Sequence, residues 1–235
     1  MNARIDWRAH ADQESWIHAV ADDMARTLEA ELAAAGKARM LLSGGTTPAP
    51  IYTQLAIAPL DWHQVTVGLV DERWLSPDDS ASNARLVRES LLEHADIGHF
   101  EPLVRPGLSV AEAVHAANLE ACHAQDACLA VLGMGNDGHT ASLFPGSIDL
   151  DRALANPQPY AALDATGCPV AGDWALRITL TPAGLARTRR RLLLLRGDAK
   201  REIFERALAG DDVRELPIRS VLQLPGEPLC VHWCP

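Results

Sequence analysis

His139 is the histidine this chain sets apart. It lies in Gly133-Met134-Gly135-Asn136-Asp137-Gly138-His139, a glycine-rich junction with an acid two residues away. The other eight histidines are scattered, and each reads as a surface residue or a satisfied core residue. Imidazole titrates near about pH 6.5, so it can take a proton from water at neutral pH. Asp137 beside it, or Asp71 from further up the chain, would orient the ring or favour its charged form. Gly133-x-Gly135-x-x-Gly138 formally matches a dinucleotide fingerprint. It lies mid-chain, however, and lacks a following strand that ends in an acid at the required distance, so that reading is rejected. The glycines are read instead as shaping a loop that presents Asp137 and His139 to a cleft.

Other segments offer anion chemistry. Ser43-Gly44-Gly45-Thr46-Thr47-Pro48 places paired glycines between an apolar run and a helical one. Backbone N–H groups approach an anion closely there, and a helix N-terminus adds a favourable dipole. The hydroxyls of Ser43, Thr46 and Thr47 add donors. No Gly-Lys-Ser/Thr follows, so this is not a Walker A loop. Asp71-Glu72-Arg73 sets three charges after a strand, and Arg73 suits a phosphate or a developing oxyanion. Arg177 sits inside the apolar run Ala175-Leu176-Arg177-Ile178-Thr179-Leu180, where a guanidinium needs a partner or an exit to solvent. Lys200 follows Gly197-Asp198 at a helix start. Two basic concentrations stand out, Arg187 to Arg191 and Lys200–Arg201, and both read first as solvated helix ends or turns.

These groups need a scaffold. Trp16, Ile17, Val20, Met24, Leu28 and Leu32 recur at helical spacing and predict a helix over 13–35, ended by Gly36. Short apolar runs predict strands over 40–42, 65–70, 128–132, 174–180, 192–195 and 229–233. Helices are expected through Tyr52 and Leu55, through Leu86 to Leu92, from Ser109 to about 124, where Ser109 and Glu112 resemble a capping box, and from about 198. Strands alternating with helices predict an α/β, Rossmann-like fold: a mostly parallel sheet with helices on both faces. Ligands then bind beyond the carboxyl ends of the strands, so 44–47, 71–73 and 135–139 should meet on one rim.

The bulk numbers agree. The chain has 235 residues, 48% of them hydrophobic, which suits a single domain over 1–235 with a buried core. A net charge of −10 argues against general nucleic-acid binding. The five cysteines are an odd set without a CxxC pair, so they read as reduced thiols with no metal site. Residues 1–10 lack the apolar core of a signal peptide, and no run approaches the roughly 20 apolar residues that cross a bilayer. A cytoplasmic protein with no membrane partner is expected.

Taken in order and spacing, Ser43–Pro48, Asp71-Glu72-Arg73-Trp74 with Asn83, Gly133–Pro145, Arg177-Ile178-Thr179-Leu180-Thr181 and Gly197-x-x-Lys200 resemble the 6-phosphogluconolactonase family. The resemblance runs from about 41 to 209, and the Gly133–Pro145 block is its most specific part. It implies the α/β domain shared with glucosamine-6-phosphate deaminases and ribose-5-phosphate isomerases. It implies hydrolysis of 6-phospho-glucono-1,5-lactone to 6-phosphogluconate, with no metal and no organic cofactor. It further implies that His139 is the base and that Gly44, Gly45, Thr46, Arg73, Arg177 and Lys200 hold the phosphorylated sugar acid. The expected partner is thus a small phosphorylated sugar lactone, and the expected assembly a monomer or weak homodimer. Three departures accompany it: Thr46 where serine is common, Asn136 where proline is common, and a weaker match after Thr181. The related deaminases resemble this loop but carry a glutamate where Phe144 stands, which argues against that activity. A non-catalytic sugar-phosphate sensor would need a DNA-binding segment for which the N-terminus offers no room.

Overall fold

The structure, a computed structural model, describes residues 4–235. In chain order the elements are β1 (Ile5–Ala9), α1 (Gln13–Ala35), β2 (Ala38–Leu42), α2 (Ala49–Ala56), β3 (Val65–Leu69), β4 (Asp71–Arg73), α3 (Asn83–Val87), β5 (His99–Glu101), α4 (Val110–His123) and β6 (Ala127–Gly133), followed by α5 (Leu150–Leu154), β7 (Tyr160–Asp164), β8 (Leu176–Leu180), α6 (Pro182–Ala186), β9 (Thr188–Arg196), α7 (Asp198–Leu208), α8 (Arg219–Leu222) and β10 (Leu229–Cys234). A π-helical turn, Arg88–Leu92, prolongs α3.

Seven strands form one sheet in the order β1-β10-β9-β6-β2-β3-β5, every neighbouring pair parallel. Its central strands are apolar almost without a break: all of Ala38–Leu42 and Leu192–Leu195 are buried. That is the pattern of a parallel sheet covered on both faces. Opposite faces are visible at the β1 edge. His232 reaches Asp23 on α1, while the alternate residue Trp7 packs on Phe204 of α7. Helix α1 has the predicted bounds, with Asp12 accepting from the Ser15 N–H and Gly36 in the left-handed region at φ 72°. The Ser109–Glu112 capping box is present at the head of α4.

The sequence reading missed a second sheet. Strands β4, β8 and β7 pair antiparallel beside the carboxyl end of the large sheet, joined to it by Leu180 N–H donating to Val70 O. A smaller apolar cluster built on Leu143, Phe144, Leu150 and Leu163 lies with it. The reading of Arg187 to Arg191 as a helix end or turn is also corrected. Arg189 to Arg191 lie in β9. Arg189 pairs with Glu31, Arg190 pairs with Asp23, and Arg191 donates to the carbonyls of Pro225 and Glu227. No helix among the described residues is long and apolar enough to cross a membrane.

Candidate active site

Because the large sheet is parallel, β2, β3, β6 and β9 all end at one rim. The segments that follow them line a single cavity of about 300 Å³. Ser43, Gly44, Gly45 and Thr46 follow β2, Asp71 and Arg73 follow β3, His139 follows β6, and Lys200 is in the first turn of α7 after β9. Arg177 enters from β8 of the small sheet. Of the residues assigned a catalytic or binding role from the sequence, Asp137 does not line the cavity itself, and it stands directly behind His139.

The His139 loop is tightly specified. Gly138 has φ 77°, and a side chain there would also meet Leu216, so glycine is required on two counts. Its carbonyl accepts from the Ile218 N–H. Gly135 does not have a positive φ, but a Cβ there would lie 2.2 Å from His139 Nδ1 and 2.5 Å from Asp137 Oδ1. The glycine leaves room for the dyad. Asp137 Oδ1 stands 2.6 Å from His139 Nδ1 and also accepts from the His139 N–H at 3.2 Å. The ring therefore donates from Nδ1, and Nε2 is left as the basic nitrogen. Burial alone would raise the Asp137 carboxyl, but the hydrogen bond and the charge of His139 outweigh it and hold the pKa below its ordinary value. Phe144 packs on the imidazole at 4.6 Å between centroids. Asp71 is engaged elsewhere, since it accepts from Ser142 Oγ at 2.5 Å and its backbone carbonyl accepts from Asn83 Nδ2 at 2.8 Å. Of the two candidate partners of His139, the geometry joins it to Asp137.

The cations around the cavity lack carboxylate partners. Arg73 and Arg177 are register partners across β4 and β8, which sets two like charges opposite each other. Arg177 is buried, donates to the carbonyls of Trp174 and Ala171, and lies 5.3 Å over the Phe144 ring. Arg73 donates to the Ala81 carbonyl, and its Nε has no partner. Among the described residues, neither arginine nor Lys200 forms an ion pair. Burial depresses the pKa of Arg177 and of Lys200. Holding three cations together at such cost makes sense where an anion arrives. Arg201, the other half of that basic concentration, turns away to stack on Trp7 and Trp233.

Sequence reasoning did not assign Met134, Ala141, Val170 or Leu194 to the lining, and it named Asn83 only as part of the family resemblance, without a role. Asn83 directly follows Ser82, the cap of α3. Its side chain fills the place of a Gly44 Cβ, which would lie 1.8 Å from Asn83 Oδ1, so the glycine loop and Asn83 are fitted to each other. Val170 carries no signal in the sequence. Away from the cavity, Asp23, Cys230 and His232 bring possible metal-ligand atoms within 4.8 Å of one another. Arg8 at 3.0 Å and Arg190 at 2.8 Å already neutralise the Asp23 carboxylate. The five cysteines are unlinked, as expected.

Comparison with known proteins gives concordant matches. A family model described as glucosamine-6-phosphate isomerases/6-phosphogluconolactonase matches residues 11–230. A Xylella fastidiosa protein named 6-phosphogluconolactonase is 54% identical over 99% of this chain and 98% of its own. One from Rhizobium meliloti is 38% identical over 92% of this chain and 93% of its own. The crystal structure of a 6-phosphogluconolactonase from Shewanella baltica superposes with a TM-score of 0.92 at 33% identity, covering 100% of both chains.

Proposed function

The chain belongs to the glucosamine-6-phosphate isomerase/6-phosphogluconolactonase family, and from that premise we propose that it hydrolyses 6-phospho-D-glucono-1,5-lactone to 6-phospho-D-gluconate, the lactone step of the oxidative pentose phosphate pathway, with His139 as general base. The observation that carries the reading is the joint one. An imidazole held by Asp137 at 2.6 Å lines the same cavity as three cations that form no ion pair among the described residues.

The phosphate lies on the Gly44–Thr46 turn, whose free N–H groups and α2 dipole favour it, with Lys200 and one or both arginines completing the neutralisation. That anchor carries the lactone carbonyl to His139. Nε2 takes a proton from a water as its oxygen attacks the carbonyl carbon. The carbonyl oxygen becomes an oxyanion stabilised by Arg73 or a backbone N–H, and Asp137 stabilises the imidazolium. The imidazolium then returns the proton to the ring oxygen as the C–O bond breaks and the ring opens. Every step is assigned to a side chain or backbone group of this chain. Phe144 covers one side of the imidazole and offers no second carboxylate, which favours hydrolysis over a deaminating isomerisation.

The test is hydrolysis of freshly prepared 6-phosphogluconolactone, corrected for the spontaneous reaction. Turnover well above background with no ammonia released from glucosamine 6-phosphate is expected. Ammonia release without lactone hydrolysis would overturn the assignment.

A further inference from the structure

Glu72 does not line the cavity, yet it is almost fully buried, at 1% exposure, and it makes no ion pair among the described residues. Its carboxylate is held entirely by N–H and O–H donors. Oε1 accepts from the backbone N–H groups of Arg73 at 2.8 Å and Asn83 at 2.9 Å. Oε2 accepts from Ser82 Oγ at 3.0 Å and the Ala84 N–H at 2.7 Å. A charge buried without a counter-ion is costly, and four donors are what make it tolerable. At the head of α3, Ser82 Oγ accepts from the Arg85 N–H while Glu72 takes the N–H groups of Asn83 and Ala84, so the carboxylate also closes that helix end.

The connections of Glu72 explain the expense. It fastens β4, at Arg73, to segment 82–84. The guanidinium of Arg73 is held by the carbonyl of Ala81, the residue just before that segment. Asn83 lies within it, donating to the Asp71 carbonyl and filling the space beside Gly44. One carboxylate thus sets the spacing on which both a cavity cation and the fit of the glycine loop depend. We propose that Glu72 is a positioning residue of the active site, which holds Arg73 and Asn83 where the phosphorylated substrate meets them. The proposal rests on the reading of the cavity as a sugar-phosphate site.

Glu72→Gln keeps the shape but replaces one acceptor oxygen with a donor that faces other donors, so about half of the hydrogen bonds fail. A displacement near 1 Å at a substrate-holding group costs about 10²-fold. The experiment is a double-mutant cycle of E72Q with R73A, measuring kcat and KM for the lactone, the affinity for 6-phosphogluconate by calorimetry, and stability by urea unfolding. E72Q should lose about 10²-fold in kcat/KM, in the same kinetic constant that R73A affects, and at least about tenfold less when Arg73 is already absent. Equal losses in both backgrounds, or a loss of stability with unchanged kinetics of the folded protein, would overturn the proposal. Should E72Q not fold, S82A removes one donor to the carboxylate together with the cap on the Arg85 N–H, so its stability is measured alongside. A loss in the wild-type background that vanishes in R73A then supports the claim, and an additive loss overturns it. Should the wild-type protein not hydrolyse the lactone, the proposed function falls. The same cycle read in 6-phosphogluconate affinity then decides the role of Glu72: coupling supports it, while additivity or no binding overturns it.

Discussion

Replacing Gly135 with alanine tests whether the Asp137–His139 geometry matters beyond the mere presence of the two side chains. Gly135 does not have a positive φ, so its backbone accepts alanine without strain. The methyl carbon, however, would lie 2.2 Å from His139 Nδ1, 2.3 Å from Cε1 and 2.5 Å from Asp137 Oδ1. Ordinary contact begins near 3.4 Å, so the ring must retreat by about 1 Å, and the 2.6 Å hydrogen bond to Asp137 cannot survive that move. Misplacement of that size costs about 10²-fold, and loss of the partner that stabilises imidazolium adds to it. We expect kcat/KM for 6-phosphogluconolactone to fall by about 10²–10³-fold, equivalent to roughly 2.7–4 kcal/mol of transition-state stabilisation. The phosphate cradle is separate, so the affinity for 6-phosphogluconate should change only a few-fold. Stopped-flow hydrolysis and calorimetry on the same preparation measure both. Wild-type kcat/KM in Gly135→Ala would refute the argument, because it would mean that the dyad can be split without consequence.

Other outcomes follow from the same structure. Lys200→Ala should raise KM with kcat little changed, since Lys200 acts on the non-reacting phosphate; a collapse of kcat at constant KM would place it at the carbonyl. Burial depresses Lys200 below its ordinary 10.5. Phosphate stays dianionic at alkaline pH, so 6-phosphogluconate affinity should weaken as pH rises through that depressed value, and Lys200→Ala should lose this alkaline limb in a calorimetric titration. Gly44→Ala drives a methyl into the Asn83 amide and should weaken 6-phosphogluconate binding at least about tenfold, checked in the same instrument. At Asp23, burial alone would raise the carboxyl, but the hydrogen bond from His232 and the charges of Arg190 and Arg8 hold it far below 3.8. Its contribution to stability is therefore complete above pH 3.8 and lost as pH falls through the folded value. Asp23→Asn should cost about 3–5 kcal/mol in urea unfolding at pH 7, narrowing below pH 3.8, with unchanged kcat per folded molecule.

The parallel sheet and its rim were legible because apolar runs such as 40–42 and 128–132 are buried on both faces and end in glycine or charge. Once those strands are parallel, Gly44, Asp71 and His139 must meet. Of the small sheet only β8 was legible, within the apolar run 174–180. Asp71-Glu72-Arg73 is too short and too charged to read as a strand, and it is extended only because β8 pairs with it. Strand β1 was missed for a similar reason. Its residues alternate, Asp6 and Arg8 turning toward the Asp23 network and Trp7 toward α7, so it carries no apolar run. The choice between Asp71 and Asp137 was open in sequence because it depends on rotamers: Ser142, distant in the chain, claims Asp71. Glu72 was equally hidden. A charged residue in a polar stretch gives no sign that four donors will close around it.

The most direct test is single-turnover hydrolysis of 6-phosphogluconolactone by His139→Ala, with 6-phosphogluconate binding measured in parallel. If Nε2 of His139 is the base, turnover falls by at least about 10²–10⁴-fold while the product still binds. Undiminished hydrolysis by that variant would contradict the account and move the chemistry to another group in the cavity.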